Sequence, residues 1–253
     1  MTDVAVVRAA IAPMHAEARV SSAQISQRLA GHAVTVLFTE GEWMRVRGED
    51  DYEGWMHRGY ADVPGEPQAR SAERRLSLGC VVHDRQQGWS RALPLGAWLR
   101  PSEQVVAGYA LDAAGRELAL PRDPSAIATT AVERFAGTPY QWGGISPWGA
   151  DCSGIVQTAF WLHGVVLPRD AWQQAAVGRD AGSAVSQWNA GDLLFFTDRA
   201  DQRITHVGIS LGGARMVHLG LGRGGYAIEQ LDDRDDAYVT SLMSRFVVAR
   251  RVI

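Results

Sequence analysis

Cys152 follows Asp151 and precedes Ser153 and Gly154, at the head of a stretch where Ile155, Ala159, Phe160 and Leu162 recur at helical spacing until Gly164 ends the pattern. A thiol in the first turn of a helix lies beside backbone N–H groups that lack intrahelical partners and at the positive end of the helix dipole. Such a position favours the thiolate, the nucleophilic form of cysteine. Two histidines follow. His206 lies in Ile204-Thr205-His206-Val207-Gly208-Ile209 and His218 in Met216-Val217-His218-Leu219, two β-like runs broken by Gly212-Gly213, which reads as a hairpin. An odd-numbered loop centred on Gly212 makes His206 and His218 cross-strand partners on one face, with Cβ atoms about 5 Å apart, so that one imidazole can orient the other. A thiol, a base and an orienting group are what nucleophilic acyl transfer requires.

Each of these residues alone has a plainer reading, cysteine as a small buried apolar residue and histidine as a satisfied polar one. Together they leave one rival chemistry, because Cys152, His206 and His218 with a water would make a catalytic zinc site. Structural and catalytic metal sites usually advertise close ligand pairs such as C-x-x-C, and none occurs here, so neither a metal nor another cofactor is expected.

The elements that must position these groups fall into blocks. In 253 residues, 46% of them hydrophobic, there is room for one large domain or two to three small ones. Up to residue 63, short alternating segments such as Ala33-Val34-Thr35-Val36-Leu37 and Trp43-Met44-Arg45-Val46-Arg47 predict a small β-barrel, which Pro64-Gly65-Glu66-Pro67 ends. Residues 64–124 repeat the style, with Cys80-Val81-Val82, a segment through Gly96 to Leu99 and Gln104 to Tyr109, until Pro121-Arg122-Asp123-Pro124. From 125 to 253 a helix through Ala128, Ala131, Val132 and Phe135 precedes the Cys152 helix. Strands are then expected at Leu193 to Phe196, Ile204 to Leu211, Met216 to Leu219 and Phe246 to Val252. Helices followed by strands in blocks argue for an α+β class.

The formal net charge of -3, without a long basic run, argues against nucleic acid or an anionic membrane as partner. No apolar stretch approaches the ~20 residues of a membrane span. The opening Met1-Thr2-Asp3-Val4-Ala5-Val6-Val7-Arg8 lacks a basic n-region, and two cysteines make no disulfide framework, so a cytoplasmic setting is expected. Cys80 reads as a buried strand residue. The oligomeric state is open.

Five segments occur in an order that resembles the NlpC-type cell-wall peptidases, papain-like cysteine peptidases of bacterial peptidoglycan. They are Gly137-Thr138-Pro139-Tyr140-Gln141-Trp142-Gly143-Gly144, Asp151-Cys152-Ser153-Gly154, Leu167-Pro168-Arg169-Asp170, Ala190-Gly191-Asp192-Leu193-Leu194-Phe195-Phe196 and Thr205-His206-Val207-Gly208-Ile209. The N-terminal part is similar to bacterial SH3 domains, best seen in Asp50-Asp51-Tyr52-Glu53-Gly54-Trp55. Two SH3-like barrels ahead of a papain-like domain resemble the members that cut γ-D-glutamyl-L-diamino acid bonds of free murein stem peptides. That resemblance implies Cys152 as nucleophile, His206 as base, His218 as orienting residue, the Cys152 backbone N–H as oxyanion donor and Tyr140 as a candidate second donor. It further implies that Asp170, Glu17 and Tyr52 hold the substrate's free ammonium group, with Asp151 and Ser153 also counted as substrate-binding. Plainer readings stand beside these: Asp170 as a helix N-cap, Glu17 as a surface charge and Tyr52 as a barrel-packing aromatic. Ala171 follows Asp170 where many relatives carry Ser. Trp142 and Trp148 are left unassigned. A cell-wall peptide-binding protein and a same-fold amidase or acyltransferase are the competing functions.

Overall fold

A computed structural model describes residues 3–63 and 74–253, so the expected break at Pro64-Gly65-Glu66-Pro67 lies outside the described residues. The chain divides into two compact units, 1–119 and 120–253.

In the first unit a seven-stranded sheet runs in the order β3-β2-β6-β5-β4-β1-β7. Its strands are β1 (Asp3–Val7), β2 (Ile11–His15), β3 (Gln24–Leu29), β4 (Ala33–Glu40), β5 (Trp43–Arg47), β6 (Glu53–His57) and β7 (Ala61–Asp62). Alternation along β5 and β6 puts Met44, Val46 and Met56 into a core with Ala5, Val7, Met14 and Val34, as period-two patterning dictates. A second, three-stranded sheet, β10-β8-β9, is built from β8 (Leu76–Asp84), β9 (Trp89–Leu93) and β10 (Glu103–Leu111), and the helix α1 (Ala113–Ala119) follows it. Gly96 to Leu99 is not a strand there, since it pairs only through an isolated bridge from Trp98 to Leu76. Cys80 is buried in β8.

The second unit opens at Leu120, immediately ahead of the run Pro121-Arg122-Asp123-Pro124. Asp123 caps α2 (Pro124–Arg134) by accepting the Ala126 N–H at 2.9 Å, and Pro124 occupies the first turn, where its missing N–H costs nothing. The hairpin β11 (Ile145–Ser146) and β12 (Gly149–Ala150) leads into α3 (Cys152–Leu162), which the short α4 (Ala171–Gln174) follows. A six-stranded antiparallel sheet then runs β13-β18-β14-β15-β16-β17. It comprises β13 (Arg179–Asp180), β14 (Ala190–Phe196), β15 (His206–Gly212), β16 (Arg215–Gly220), β17 (Gly225–Gln230) and β18 (Phe246–Arg251), with α5 (Ala237–Met243) between the last two. Helix α3, apolar almost all round, packs on β15 and β16 and is buried along nearly its whole length, as that composition requires. Among the described residues no helix is long and apolar enough to cross a membrane.

Candidate active site

The thiol is set by its cap. Asp151 is the N-cap of α3, and its Oδ1 accepts the Gly154 N–H at 2.8 Å and the Ser153 hydroxyl at 3.1 Å. Its Oδ2 accepts the Gly143 N–H at 2.8 Å, and the buried Arg169 closes both oxygens at 3.0 and 2.7 Å. Arg169 also donates to the Ser153 hydroxyl at 2.7 Å. Asp151 and Ser153, counted above among substrate-binding residues, therefore spend their side chains on one another and on Arg169, tying the Cys152 turn to the 143–144 loop.

Backbone hydrogen bonds from Val207 and Ser153 reach the Cys152 sulfur, so the residue next to His206 touches the nucleophile. The helix terminus does pull Cys152 toward thiolate, but burial opposes it. Burial first, then the Asp151 charge, push the thiol up to about 12, against the lesser pull of those two N–H groups and of Arg169. Burial, then the neighbouring His218, hold His206 down to about 3. Burial thus works against charge on the thiol and on the imidazole alike.

The hairpin differs in register from the expected one. Ile209 pairs with Val217 and Ser210 with Met216, while a bulge at Leu211 brings Gly212 opposite Arg215 across the two-residue turn Gly213-Ala214. His218 thus faces Gly208, and His206 lies diagonally across from it on the same face. The rings still meet, with His206 Nε2 2.7 Å from His218 Nδ1 and the ring planes near perpendicular. Diagonal neighbours are within reach of long or aromatic side chains, and Gly208 contributes no side chain at the opposed position. Sequence reading missed the next member: Glu229 on β17 lies 3.1 Å from His218 Nε2. Its only sequence signal is the alternation of Tyr226, Ile228 and Gln230 around it. With His206 on one ring nitrogen and Glu229 on the other, His218 has no nitrogen left for zinc, and among the described residues no cluster suited to a metal occurs.

Tyr140 lies in a segment laced between the start of β17 and β12, through its N–H to the Gly224 carbonyl at 3.0 Å and a bridge to Ala150. Burial, then the charges of Cys152 and Asp151, raise its phenol beyond the usual tyrosine range, which keeps the O–H as a donor near the thiol. Asp170 occupies the N-cap position of α4 without a side-chain cap bond; its carboxylate takes the Trp172 indole N–H at 3.3 Å and remains partly exposed. Trp142, Trp148 and Trp172 are exposed. Glu17 and Tyr52 belong to the first unit, where Glu17 is exposed and paired with Arg19 at 2.9 Å and Tyr52 packs partly buried against the barrel core.

Comparison with known proteins matches two regions of the chain to families. Residues 137–243 match the NlpC/P60 family and residues 12–62 the bacterial SH3 domain. The γ-D-glutamyl-L-lysine dipeptidyl-peptidase of Bacillus subtilis is 46% identical over 213 residues, covering 76% of this chain and 71% of that protein. The chain belongs to the NlpC/P60 family. Dipeptidyl-peptidase 6 of Lysinibacillus sphaericus is 27% identical over 92% of this chain and 94% of its own. An NlpC/P60 family protein from Bacillus cereus shares the fold, with a TM-score of 0.78 over 99% of both chains at 19% identity. In NlpC/P60 terms the matched region holds Tyr140, Cys152, Asp170, His206 and His218 together in the second unit, and the SH3 match holds Glu17 and Tyr52.

Proposed function

We propose that this NlpC/P60 cysteine peptidase hydrolyses the γ-D-glutamyl-L-diamino acid bond of murein stem peptides that carry a free amino terminus, releasing L-Ala-γ-D-Glu. The observation that carries the reading is the continuous line from the Cys152 sulfur through Val207 and His206 to His218, with a relative of 46% identity named for that bond.

His206 removes the thiol proton as the sulfur attacks the γ-carbonyl carbon. The Cys152 backbone N–H at the helix terminus and the Tyr140 hydroxyl are the donors for the oxyanion. The C–N bond then breaks, His206 returns its proton to the departing amine, and water activated by the same imidazole hydrolyses the thioester. Asp170, with a carboxylate partly open to solvent, is the anionic partner proposed for the ammonium group, a charge-assisted bond of about 1.5–3 kcal/mol.

The test is mass spectrometry of products from L-Ala-γ-D-Glu-L-Lys and its diaminopimelate analogue. Scission at the γ-glutamyl bond by the parent, its loss in Cys152→Ala and His206→Ala, and a KM raised about tenfold in Asp170→Asn, equivalent to ~1.4 kcal/mol, are the expected results. Binding without turnover by the parent would make the chain a peptide-binding protein, and transfer to an added amine in preference to water would make it an acyltransferase.

A further inference from the structure

His218 is held on both sides, and the second holder is itself locked. Glu229, buried to 4% exposure, lies on the face of β17 that carries Ala227, the residue paired with His218. Arg223, from the single helical turn Leu221–Arg223, donates to both of its oxygens, Nε to Oε1 at 2.8 Å and a terminal nitrogen to Oε2 at 2.9 Å. Arg223 also pairs with Asp236, the N-cap of α5, and its guanidinium lies 4.2 Å over the Tyr238 ring, which is 6.1 Å from the His218 ring.

A carboxylate gripped in this way can only accept hydrogen bonds. The bond at His218 Nε2 therefore carries the imidazole's proton, and neutral His218 has a bare Nδ1. The contact of 2.7 Å between the two rings must then be donated by His206 Nε2–H, which leaves His206 Nδ1 as its lone-pair nitrogen. We propose that Glu229, clamped by Arg223 and Asp236, is a positioning residue for acyl transfer: it fixes the tautomer of His218 and, through it, that of His206, so that Nδ1 is the basic nitrogen. This rests on Cys152 and His206 being the catalytic pair. Glu229 itself is held down to about 2; burial opposes ionisation, but the bonds from His218 and Arg223 outweigh it, so the carboxylate persists across the working range.

The charged and titratable groups around the pair come from several elements. They are Cys152 on α3 with Asp151 and Arg169 behind it, Tyr140 from the 138–141 segment, Glu229 on β17, Arg223, and Asp236 and Tyr238 at the start of α5. Two of these can be changed with opposite electrostatic sign. Glu229→Gln removes an anion close to the histidine pair, so a proton on the base His206 is disfavoured and the imidazole-governed limb of the kcat/KM profile moves to lower pH. Arg223→Met removes the neutralising cation, leaves the anion's field stronger and moves the same limb to higher pH.

The experiment is made on the full chain with L-Ala-γ-D-Glu-L-Lys as substrate, alongside nitrogen NMR of the two imidazoles. The parent should show both histidines protonated on Nε2. Glu229→Gln, whose amide can donate or accept, should populate the opposite tautomers and lose on the order of tenfold or more in kcat at little changed KM, well short of the ~10⁴ that a wrong tautomer costs a Ser-His-Asp triad. Opposed pH shifts of the two variants support the assignment. Parent tautomers and an unmoved profile in Glu229→Gln, or shifts of the same sign in both variants, overturn it. Should Glu229→Gln not fold, Arg223→Met decides alone, an upward shift supporting and an unmoved limb overturning. The NMR readout stands without turnover, so a protein with the stated tautomers but no hydrolysis would refute the proposed function and not this assignment.

Discussion

Arg169 and Asp151 form the tightest polar knot behind the nucleophile, and the pair sets the thiol's electrostatics as well as its position. Both are buried, both carboxylate oxygens of Asp151 are bonded to the guanidinium, and their charges act on Cys152 with opposite sign, Asp151 raising and Arg169 lowering its pKa. Arg169→Met leaves Asp151 charged, buried and short of its partner, which costs about 3–5 kcal/mol of stability. It also removes a cation that favours thiolate. The variant should unfold at lower urea concentration, and in a Cys80→Ser background its Cys152 should be alkylated more slowly by iodoacetamide at any one pH below the thiol's titration. Unchanged alkylation with lowered stability would assign Arg169 to the scaffold alone. Cys152, His206 and His218 were legible in the sequence because their types are scarce and their flanks distinctive. Glu229 was not, because a carboxylate among Gln230, Asp232 and Asp233 looks like solvated surface until β17 is paired to β16 and turns it inward.

At the scale of elements, the α3 terminus and the β15–β16 hairpin do the positioning. The hairpin was visible from its alternation and its glycines, but its register was not, because the bulge at Leu211 adds one residue to β15 and leaves no compositional mark. Strand β17 and helix α5 escaped for a related reason. Gly225 to Gln230 alternates only weakly, and Ala237 to Met243 is too short to be helical without Asp236, which caps it through the Tyr238 and Val239 N–H groups at 2.7 and 3.2 Å. Gly154 shows how close the α3 packing is. A Cβ there would lie 2.1 Å from the Gly144 carbonyl oxygen, so although alanine is the better helix former, the helix start would be driven off the loop. Gly154→Ala should destabilise the second unit by about 1–3 kcal/mol through overpacking and lower kcat, since a displacement near 1 Å is enough to cost ~10²-fold. Thermal unfolding together with kcat would check it; a gain in stability would show that the loop yields freely.

Across the first unit, the two sheets that sequence reading separated at residue 63 share contacts that a cut there would expose. The Trp98 N–H donates to the Ala30 carbonyl at 2.8 Å, Arg74 lies 4.2 Å over the Trp98 ring, and Gly31, at φ 76°, has room for no side chain because a Cβ would meet Trp98 Cβ at 2.6 Å. Arg91 reaches the Arg8 carbonyl and Arg100 the Asp62 carboxylate. Alternation gave away the strands, but this junction was invisible because it is made of backbone groups, a glycine and an aromatic that composition does not distinguish from loop. His32 belongs to the same junction, its Nε2–H donating to the Gly96 carbonyl at 3.1 Å. Burial, aided by Arg28 and Arg74 and opposed by that bond and by Glu49, holds its imidazole down to about 4. The sign follows from linkage. The unfolded chain takes up the proton near pH 6.5 and the folded unit only near 4, so the unfolded state binds more protons between those values and stability falls as pH drops through that window. Above it the contribution is intact, and below it this group causes no further loss. His32→Gln keeps an amide N–H for the Gly96 carbonyl but has nothing to titrate. Measured by urea unfolding of the full chain at steps from pH 7 to 4, the variant should lose less stability over that range than the parent. His206, depressed in the other unit, contributes equally to both proteins and cancels in the difference. Parallel curves for parent and variant would show that the His32 ring takes up its proton over the same pH range folded and unfolded.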